Sequence, residues 1–179
     1  MTSHTLVLLR HAKAETPGAG RSDAERQLAE RGRVDAGAAG AWLVANALVP
    51  DLVMCSPARR TRQTWTLAEQ AMLRDTPAGA GAAVGAAPVA LVPDLYSAGV
   101  DAMLALITAI PEEIGTLVIV GHNPTISVAS AMLDPDHGHG TGLRTASLAV
   151  HTLGALWAGC TRGSAPLVMT HTARGAWRG

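Results

Sequence analysis

Residues 6–9 of the chain read LVLL, and Arg10 and His11 follow them with no turn residue between. A short, wholly apolar run favours a strand that is covered on both faces, as in a parallel sheet packed between helices. The stretch therefore predicts a central strand whose carboxyl end holds Arg10 and His11 at the edge of a sheet.

Strands and helices alternate along the rest of the chain. We predict further strands at residues 52–55, 89–92 and 117–120, and helices at residues 25–47, 56–74, 100–110 and about 123–133. This alternation indicates an α/β fold, a three-layer sandwich with a mostly parallel central sheet and helices on both faces. Residues 146–153 and 155–160 suggest a terminal hairpin, and residues 75–87 and 134–142 are interpreted as loops.

Length and composition exclude several classes of function. The 179 residues, 48% hydrophobic and 16% charged, are expected to form a single domain over residues 1–179. A net charge of zero and 3% aromatic residues argue against a nucleic-acid partner or an anionic membrane surface. No apolar run approaches the roughly 18 residues of a membrane span, and no signal-peptide pattern opens the sequence. We therefore expect a cytoplasmic protein, and a monomer.

Cysteine and histidine spacing does not predict a metal site. Cys55 and Cys160 form neither a disulfide framework nor a metal-ligand pattern, and Cys55 is expected to be a small buried residue. His137 and His139 lie in a Gly-rich loop without a third ligand at a recognisable spacing. We expect no metal and no organic cofactor.

Polar residues follow all four predicted parallel strands. In such a sheet the ligand crevice lies beyond the carboxyl ends of the strands. The residues at these ends are Arg10-His11, residues 56–60, residues 94–97 and Gly121-His122-Asn123. Two of the ends, Ser56-Pro57 and Asn123-Pro124, are also typical helix starts, with a capping side chain before a proline.

These strand ends predict a phosphate site. Free amides at helix starts favour an anion, and arginine forks bind tetrahedral oxyanions in bidentate fashion. A histidine among arginines is expected to have a lowered pKa, which leaves a neutral ring nitrogen able to attack phosphorus. A second histidine, kept protonated by the charge of the phosphate, could stabilise the transition state.

Four segments together resemble the motifs of the histidine phosphatase superfamily, which has the phosphoglycerate-mutase-like fold. They are LLRHAKAE (8–15), DAERQLAERG (23–32), SPARRTRQT (56–64) and VIVGHNP (118–124). The resemblance spans residues 6–124, with the motifs in the order expected for the superfamily. The short chain, without an inserted lid, is most similar to the small SixA-type phosphohistidine phosphatase branch.

The resemblance assigns a role to each residue of the motifs. It makes His11 the nucleophile that becomes phosphohistidine. It also implies that Arg10 and Arg60 clamp the phosphoryl oxygens and that His122 binds the group from the opposite side. Arg26 corresponds to an additional phosphate-pocket arginine of the SixA-type branch.

The general acid is less well defined by the resemblance. Larger members carry a Glu after the third strand in a Leu-x-Glu pattern, where this chain has Ser97. Asp23, three residues before Arg26, is the first candidate, followed by Asp94 and Glu15. Asp23 could equally be only a loop cap. A phosphohistidine substrate needs less acid catalysis, because a phosphoramidate leaves more readily than an alkoxide.

The sequence therefore predicts a metal-independent phosphatase that acts on protein phosphohistidine or on phosphomonoesters. Its partner would be a phosphorylated protein, such as a histidine-phosphorylated signalling domain, or a small phosphorylated substrate. One alternative is a small-molecule phosphomonoesterase or a phosphoglycerate-mutase-like enzyme. The other is a non-catalytic phosphate-binding module. Lys13 either extends the positive rim of the site or faces solvent.

Overall fold

The computed structural model describes residues 3–18, 20, 22–76, 84–137, 142–154 and 156–176. The strands within these residues are β1 (His4–Arg10), β2 (Leu52–Cys55), β3 (Val89–Leu91), β4 (Thr116–Gly121), β5 (Ser147–Leu153) and β6 (Leu167–Thr172). They form one sheet in the order β3-β2-β4-β1-β5-β6. The first four strands pair in parallel, whereas β5 is antiparallel to both β1 and β6.

Helices cover both faces of the sheet. They are α1 (Glu30–Ala45), α2 (Arg59–Asp75), α3 (Asp94–Ser97), α4 (Val100–Thr108) and α5 (Thr125–Leu133). Helices α1 and α2 contribute to the core on one face, and α4 and α5 to the core on the other. The predicted three-layer α/β sandwich is therefore confirmed. Among the described residues, no helix combines the length and hydropathy needed to cross a membrane.

Strand β1 shows why the run LVLL is apolar at every position. Val7 and Leu9 belong to the core beneath α1 and α2, whereas Leu6 and Leu8 belong to the core beneath α4 and α5. All four side chains are fully buried. Successive residues of a strand point to opposite faces, so a strand covered on both sides has no polar position to offer.

Two glycines of α1 allow close approach of neighbouring backbone. A methyl group at Gly40 would collide with the carbonyl oxygen of Ala68 in α2. A methyl group at Gly32 would collide with the carbonyl oxygen of Lys13, which follows β1. These two contacts hold α1 against both α2 and the segment after His11.

Several predicted bounds are wrong. Helix α1 begins at Glu30, because the residues predicted as its first turn form a 3-10 turn (Asp23–Glu25) and an extended segment. The predicted caps Ser56 and Asn123 do not cap, since α2 and α5 have Ala58 and Pro124 at their N-cap positions. Parts of both predicted loops, residues 77–83 and 138–141, lie outside the described residues.

The terminal hairpin was assigned to the wrong second strand. Within the described part of the predicted strand, residues 156–160 do not pair with β5, and Trp157–Gly159 is a 3-10 turn. The Trp157 ring is fully buried, and its Nε1 donates to the Ile114 carbonyl oxygen at 2.7 Å. Burial of this large ring, which needs an acceptor for its N–H, overrides the local strand pattern. The strand that follows β5 in the chain and pairs with it is β6.

Candidate active site

The order of the strands brings three of the predicted strand ends together. Strand β4 lies between β1 and β2, and Gly121 is level with Arg10 across the β1–β4 pair. The His11 amide donates to the Gly121 carbonyl oxygen at 3.0 Å, and the Ser56 amide donates to Val120 at 3.0 Å. The ring centroids of His11 and His122 are 5.1 Å apart. The two histidines therefore share one edge of the sheet, as predicted.

His11 is held with one ring nitrogen free. Its Nδ1 lies 2.7 Å from the Ala12 carbonyl oxygen, which can only accept, so Nδ1 carries the proton and Nε2 keeps its lone pair. Burial lowers the His11 pKa from 6.5 to about 4, the Ala12 bond raises it, and the charges of Arg60 and Arg10 lower it further. The predicted fall in pKa is confirmed, although burial contributes more than the arginines. At neutral pH the His11 ring is uncharged, with a lone pair on Nε2.

His122 pairs with a serine. Its Nε2 lies 2.8 Å from Ser56 Oγ, whereas its Nδ1 is buried without a hydrogen-bond partner among the described residues. Burial lowers the His122 pKa to about 3, and the nearby Arg60 and His11 add to this effect. His122 is therefore neutral in the resting protein. A protonated His122 requires the negative charge of a bound group.

Asp23 is the centre of an ion-pair cluster. Arg60, which is 6% exposed, donates to the Asp23 carbonyl oxygen at 2.7 Å and to Oδ2 at 2.9 Å. Arg26 donates to Asp23 Oδ1 at 2.8 Å, and the Tyr96 hydroxyl donates to Oδ2 at 3.0 Å. The Arg26 bond is the main reason that the Asp23 pKa is lowered to about 2, with Tyr96 and Arg60 adding to it. In this state Asp23 is a carboxylate and cannot donate a proton.

Only one of the three candidate acids bonds to the buried arginine. Glu15 accepts from the Gln27 side chain at 2.8 Å, and its carbonyl oxygen accepts from Arg26 Nε and Nη2 at 3.1 and 2.9 Å. Asp94 begins α3, and its side chain makes no hydrogen bond or ion pair with the described part of the chain. Asp23 alone among the three contacts Arg60. Arg26 reaches the pocket through Asp23, and its charge also lowers the His11 pKa.

Three buried side-chain nitrogens at this edge have hydrogen-bonding capacity that the described residues do not satisfy. Arg10 Nη1 donates to the Leu143 carbonyl oxygen at 2.7 Å, but Arg10 Nε, Arg60 Nε and His122 Nδ1 have no partner within the described residues. A buried donor without a partner costs about 1–3 kcal/mol. A tetrahedral oxyanion, which offers several acceptors, fits such a set of donors.

Sequence reasoning missed several members of the site. Ser56 was assigned to a cap rather than to His122. Tyr96, whose ring packs edge-on against His122 with centroids 5.5 Å apart, was passed over although it precedes Ser97 at a predicted strand end. The Leu143 carbonyl oxygen also accepts from Asn123 Nδ2 at 2.9 Å. No sequence pattern predicts this contact, because a backbone acceptor can belong to any residue.

No metal-ligand cluster is found in the described ranges, where no three His, Cys, Asp or Glu side chains are grouped to hold an ion. His137 Nδ1 instead lies 2.8 Å from Asp134 Oδ2, and His139 lies outside the described residues. Cys55 is buried, as predicted.

Comparisons with known proteins identify the family and the fold of the chain. Residues 6–77 match the model of the histidine phosphatase superfamily (branch 1). An uncharacterised protein of Mycobacterium tuberculosis is 33% identical over 174 residues, which cover 93% of this chain and 100% of the relative. The structure of the candidate phosphohistidine phosphatase SixA from Nakamurella multipartitia has a TM-score of 0.77 at 32% identity and covers 96% of both chains. Its counterpart from Agrobacterium tumefaciens has a TM-score of 0.72 at 28% identity, over 94% of this chain and 97% of that chain.

Proposed function

Because the chain belongs to the histidine phosphatase superfamily, we propose that it removes phosphoryl groups through a covalent phosphohistidine on His11. One observation carries the proposal. The bond from His11 Nδ1 to the Ala12 carbonyl oxygen leaves Nε2 unprotonated, at the same edge of the sheet as Arg10, Arg60 and His122. Each of these three residues has a buried nitrogen without a partner among the described residues. A neutral nucleophile next to oxyanion donors is the arrangement that phosphoryl transfer requires.

In the first step, the lone pair of His11 Nε2 attacks phosphorus in line with the leaving group. The P–N bond to His11 forms as the bond from phosphorus to the leaving group breaks, and the leaving group takes the electron pair. Arg10, Arg60 and His122 hold the non-bridging oxygens and stabilise the charge of the transition state. In the second step, water attacks phosphorus, the P–N bond breaks, and its electron pair returns to His11 as inorganic phosphate leaves.

Asp23 is our proposal for the proton donor to an ester leaving group. In the resting protein, the Asp23 carboxylate accepts a hydrogen bond from the Arg60 guanidinium. Phosphoryl oxygens compete for the same guanidinium and bring negative charge close to Asp23. Both changes raise the Asp23 pKa and oppose the Arg26 ion pair, which remains the main contribution that lowers it. The carboxyl group can then take up a proton and pass it to the leaving oxygen. Arg26 would keep Asp23 in place during this exchange.

The substrate class we favour is phosphohistidine borne on a protein. The chain is 32% identical to the candidate phosphohistidine phosphatase SixA of Nakamurella multipartitia over 96% of both chains. In addition, an ionised Asp23 suits a phosphoramidate, whose leaving group needs little protonation by an acid. The second candidate is a phosphomonoester. It is favoured because Asp23, the proposed proton donor for an ester leaving group, is hydrogen-bonded to Arg60.

The experiment is to incubate the protein with a labelled phosphohistidine peptide or an aryl phosphate and to trap the enzyme by rapid denaturation. We expect a phosphoenzyme that is labile in acid and absent from His11→Ala. His137→Ala, which removes an exposed histidine that takes no part in the site, should form it normally. No adduct and no release of inorganic phosphate in a single turnover, with phosphate affinity retained, would instead identify a binding module.

A further inference from the structure

A cleft borders Arg10, and the described residues that line it include none of the others assigned to phosphoryl transfer. It has a volume of about 460 Å³. Its charged lining residues are Arg10, Lys13, Arg31, Asp35, Arg144 and Arg174. Five positive charges thus face one negative charge, although the whole chain has a net charge of zero. We call this feature the basic cleft.

The single carboxylate of the basic cleft is already paired. Asp35 is only 2% exposed, and its oxygens lie 2.8 Å from Arg31 Nη2 and 3.4 Å from Arg174 Nη1. By contrast, Lys13 and Arg144 are exposed, and their side chains make no hydrogen bond or ion pair with the described residues. Asp35 therefore fixes one wall of the cleft, while Lys13 and Arg144 keep their charges available to a ligand.

The backbone links the basic cleft to the proposed site of phosphoryl transfer. We call that site, formed by Arg10, His11, Arg60 and His122, the phosphoryl pocket. Lys13 lies two residues after His11, and its carbonyl oxygen accepts from the Ala29 amide at 2.9 Å. Arg144 directly follows Leu143, whose carbonyl oxygen accepts from Arg10 Nη1 at 2.7 Å. The next segment is tied to the same strand end, because the Ala146 amide donates to the His11 carbonyl oxygen at 3.2 Å. A ligand that spans both places would thus meet a rigid frame, with Arg10 between them.

We propose that the basic cleft binds a second anionic group of the substrate while the phosphoryl group is held at His11. This inference rests on the proposed function. The group is a carboxylate or a phosphate, since arginine forks and a lysine recognise both. Positive charges that line a concave surface also concentrate an anion near it and accelerate its association. The cleft would make the protein select substrates with two anionic groups over substrates that carry only the phosphoryl group.

Two matched pairs of substrates test the proposal and distinguish the source of the anion. One pair consists of phosphohistidine peptides that differ only by Glu or Gln beside the phosphohistidine. The other compares an alkanediol bisphosphate with the corresponding monophosphate. In at least one pair, the wild-type protein should prefer the member that carries the second anionic group. We expect a kcat/KM about fivefold higher, through a lower KM, as a few exposed ion pairs would give. The pair that shows the preference identifies the carboxylate or the phosphate as the natural group.

The variant Lys13→Gln/Arg144→Gln should abolish this preference and leave turnover of the members without the second anionic group unchanged. The matched control is Arg33→Gln/Arg62→Gln, which removes two exposed arginines from a separate groove and changes the net charge equally. The control should keep the preference. Raising salt from about 50 mM to about 500 mM should reduce the preference in the wild type. Equal kcat/KM within both pairs, or a preference that survives in the Lys13/Arg144 variant, would overturn the proposal.

A binding measurement separates this proposal from the proposed function. If the wild type neither turns over any substrate nor forms a phosphoenzyme, the proposed function fails, and the same pairs are then titrated calorimetrically. Tighter binding of the anionic member, lost in Lys13→Gln/Arg144→Gln, would still support the basic cleft. Equal affinity for the two members of each pair would refute it.

Discussion

The Ser56 hydroxyl lies 2.8 Å from His122 Nε2 and joins the ends of two neighbouring parallel strands. Ser56 is fully buried, and its Oγ is 3.5 Å from the Ala58 amide, at the outer limit for a hydrogen bond. The Ser56 hydroxyl therefore bonds to His122 rather than capping helix α2. By engaging Nε2, Ser56 orients the His122 ring and leaves Nδ1 for another partner.

Replacing Ser56 by Ala should lower kcat/KM about fivefold to tenfold, because the His122 ring loses a hydrogen bond that contributes about 1 kcal/mol to its placement. The measurement is single-turnover release of phosphate from the preferred substrate. An unchanged rate would show that the ring is positioned without the serine.

The chain offers a matched control for this variant. Ser130 Oγ lies 2.8 Å from His151 Nε2 in a buried pair between α5 and β5, which takes no part in the phosphoryl pocket. Ser130→Ala should lower the free energy of unfolding by about 1 kcal/mol and leave kcat/KM unchanged. A loss of activity in both variants would point to a general effect of buried serine removal.

Replacing Asp23 by Asn should slow hydrolysis of an alkyl phosphate about 100-fold and hydrolysis of phosphohistidine less than tenfold, since only the alkoxide needs a proton donor. Steady-state rates on the two substrates check this ratio. Asp94→Asn and Glu15→Gln, which alter the two other candidates, should change neither rate by much. If one of these variants shows the selective loss instead, that residue is the acid.

His11 should titrate well below an ordinary histidine. Its pKa is lowered from 6.5 to about 4, first by burial, so the ring is neutral at pH 5, where an exposed histidine is mostly protonated. The ring Cε1–H signal, followed by NMR and assigned by its loss in His11→Ala, should shift with a midpoint near 4. Because His11 stays neutral, its titration should cause no fall in kcat/KM as the pH drops through 6.5. A midpoint at 6.5 or above would contradict the neutral nucleophile.

Packing between α1 and α2 should depend on one glycine. Gly40→Ala places a methyl group against the Ala68 carbonyl oxygen and should lower the free energy of unfolding by about 1–3 kcal/mol. Gly37→Ala, in the same helix with open space around it, should raise that free energy by about 0.5–1 kcal/mol. Urea unfolding of both variants measures the difference. Similar shifts in the two would show that the helices can move apart at little cost.

Much of the fold could be predicted because the parallel core has simple local signals. The run at residues 52–55 gave the bounds of β2, and the runs at residues 6–9 and 117–120 located β1 and β4 to within two residues at each end. Buried strands of this kind are apolar at every position, and this pattern can be recognised without knowing how the helices pack. The end of the chain was harder, because Trp157 is fully buried in a 3-10 turn where the local pattern predicts a strand.

The convergence of residues at this edge was predicted for those at strand ends and missed for those that a distant segment supplies. Arg10, His11 and His122 follow strands directly, so the sheet itself brings them together. Tyr96 and Leu143 reach the same edge from α3 and from the segment before β5. No spacing along the chain encodes those approaches.

The sequence by itself determined the layered α/β architecture and the edge of the sheet at which phosphate chemistry is possible, because hydrophobic periodicity and strand order act locally. Only the tertiary structure decided how each functional group is prepared. The free Nε2 of His11, the low pKa values of both histidines, the Asp23 bridge and the basic cleft all depend on burial and on contacts between remote segments. Those quantities arise from how the chain excludes water and where it places charge, which no single stretch of residues contains.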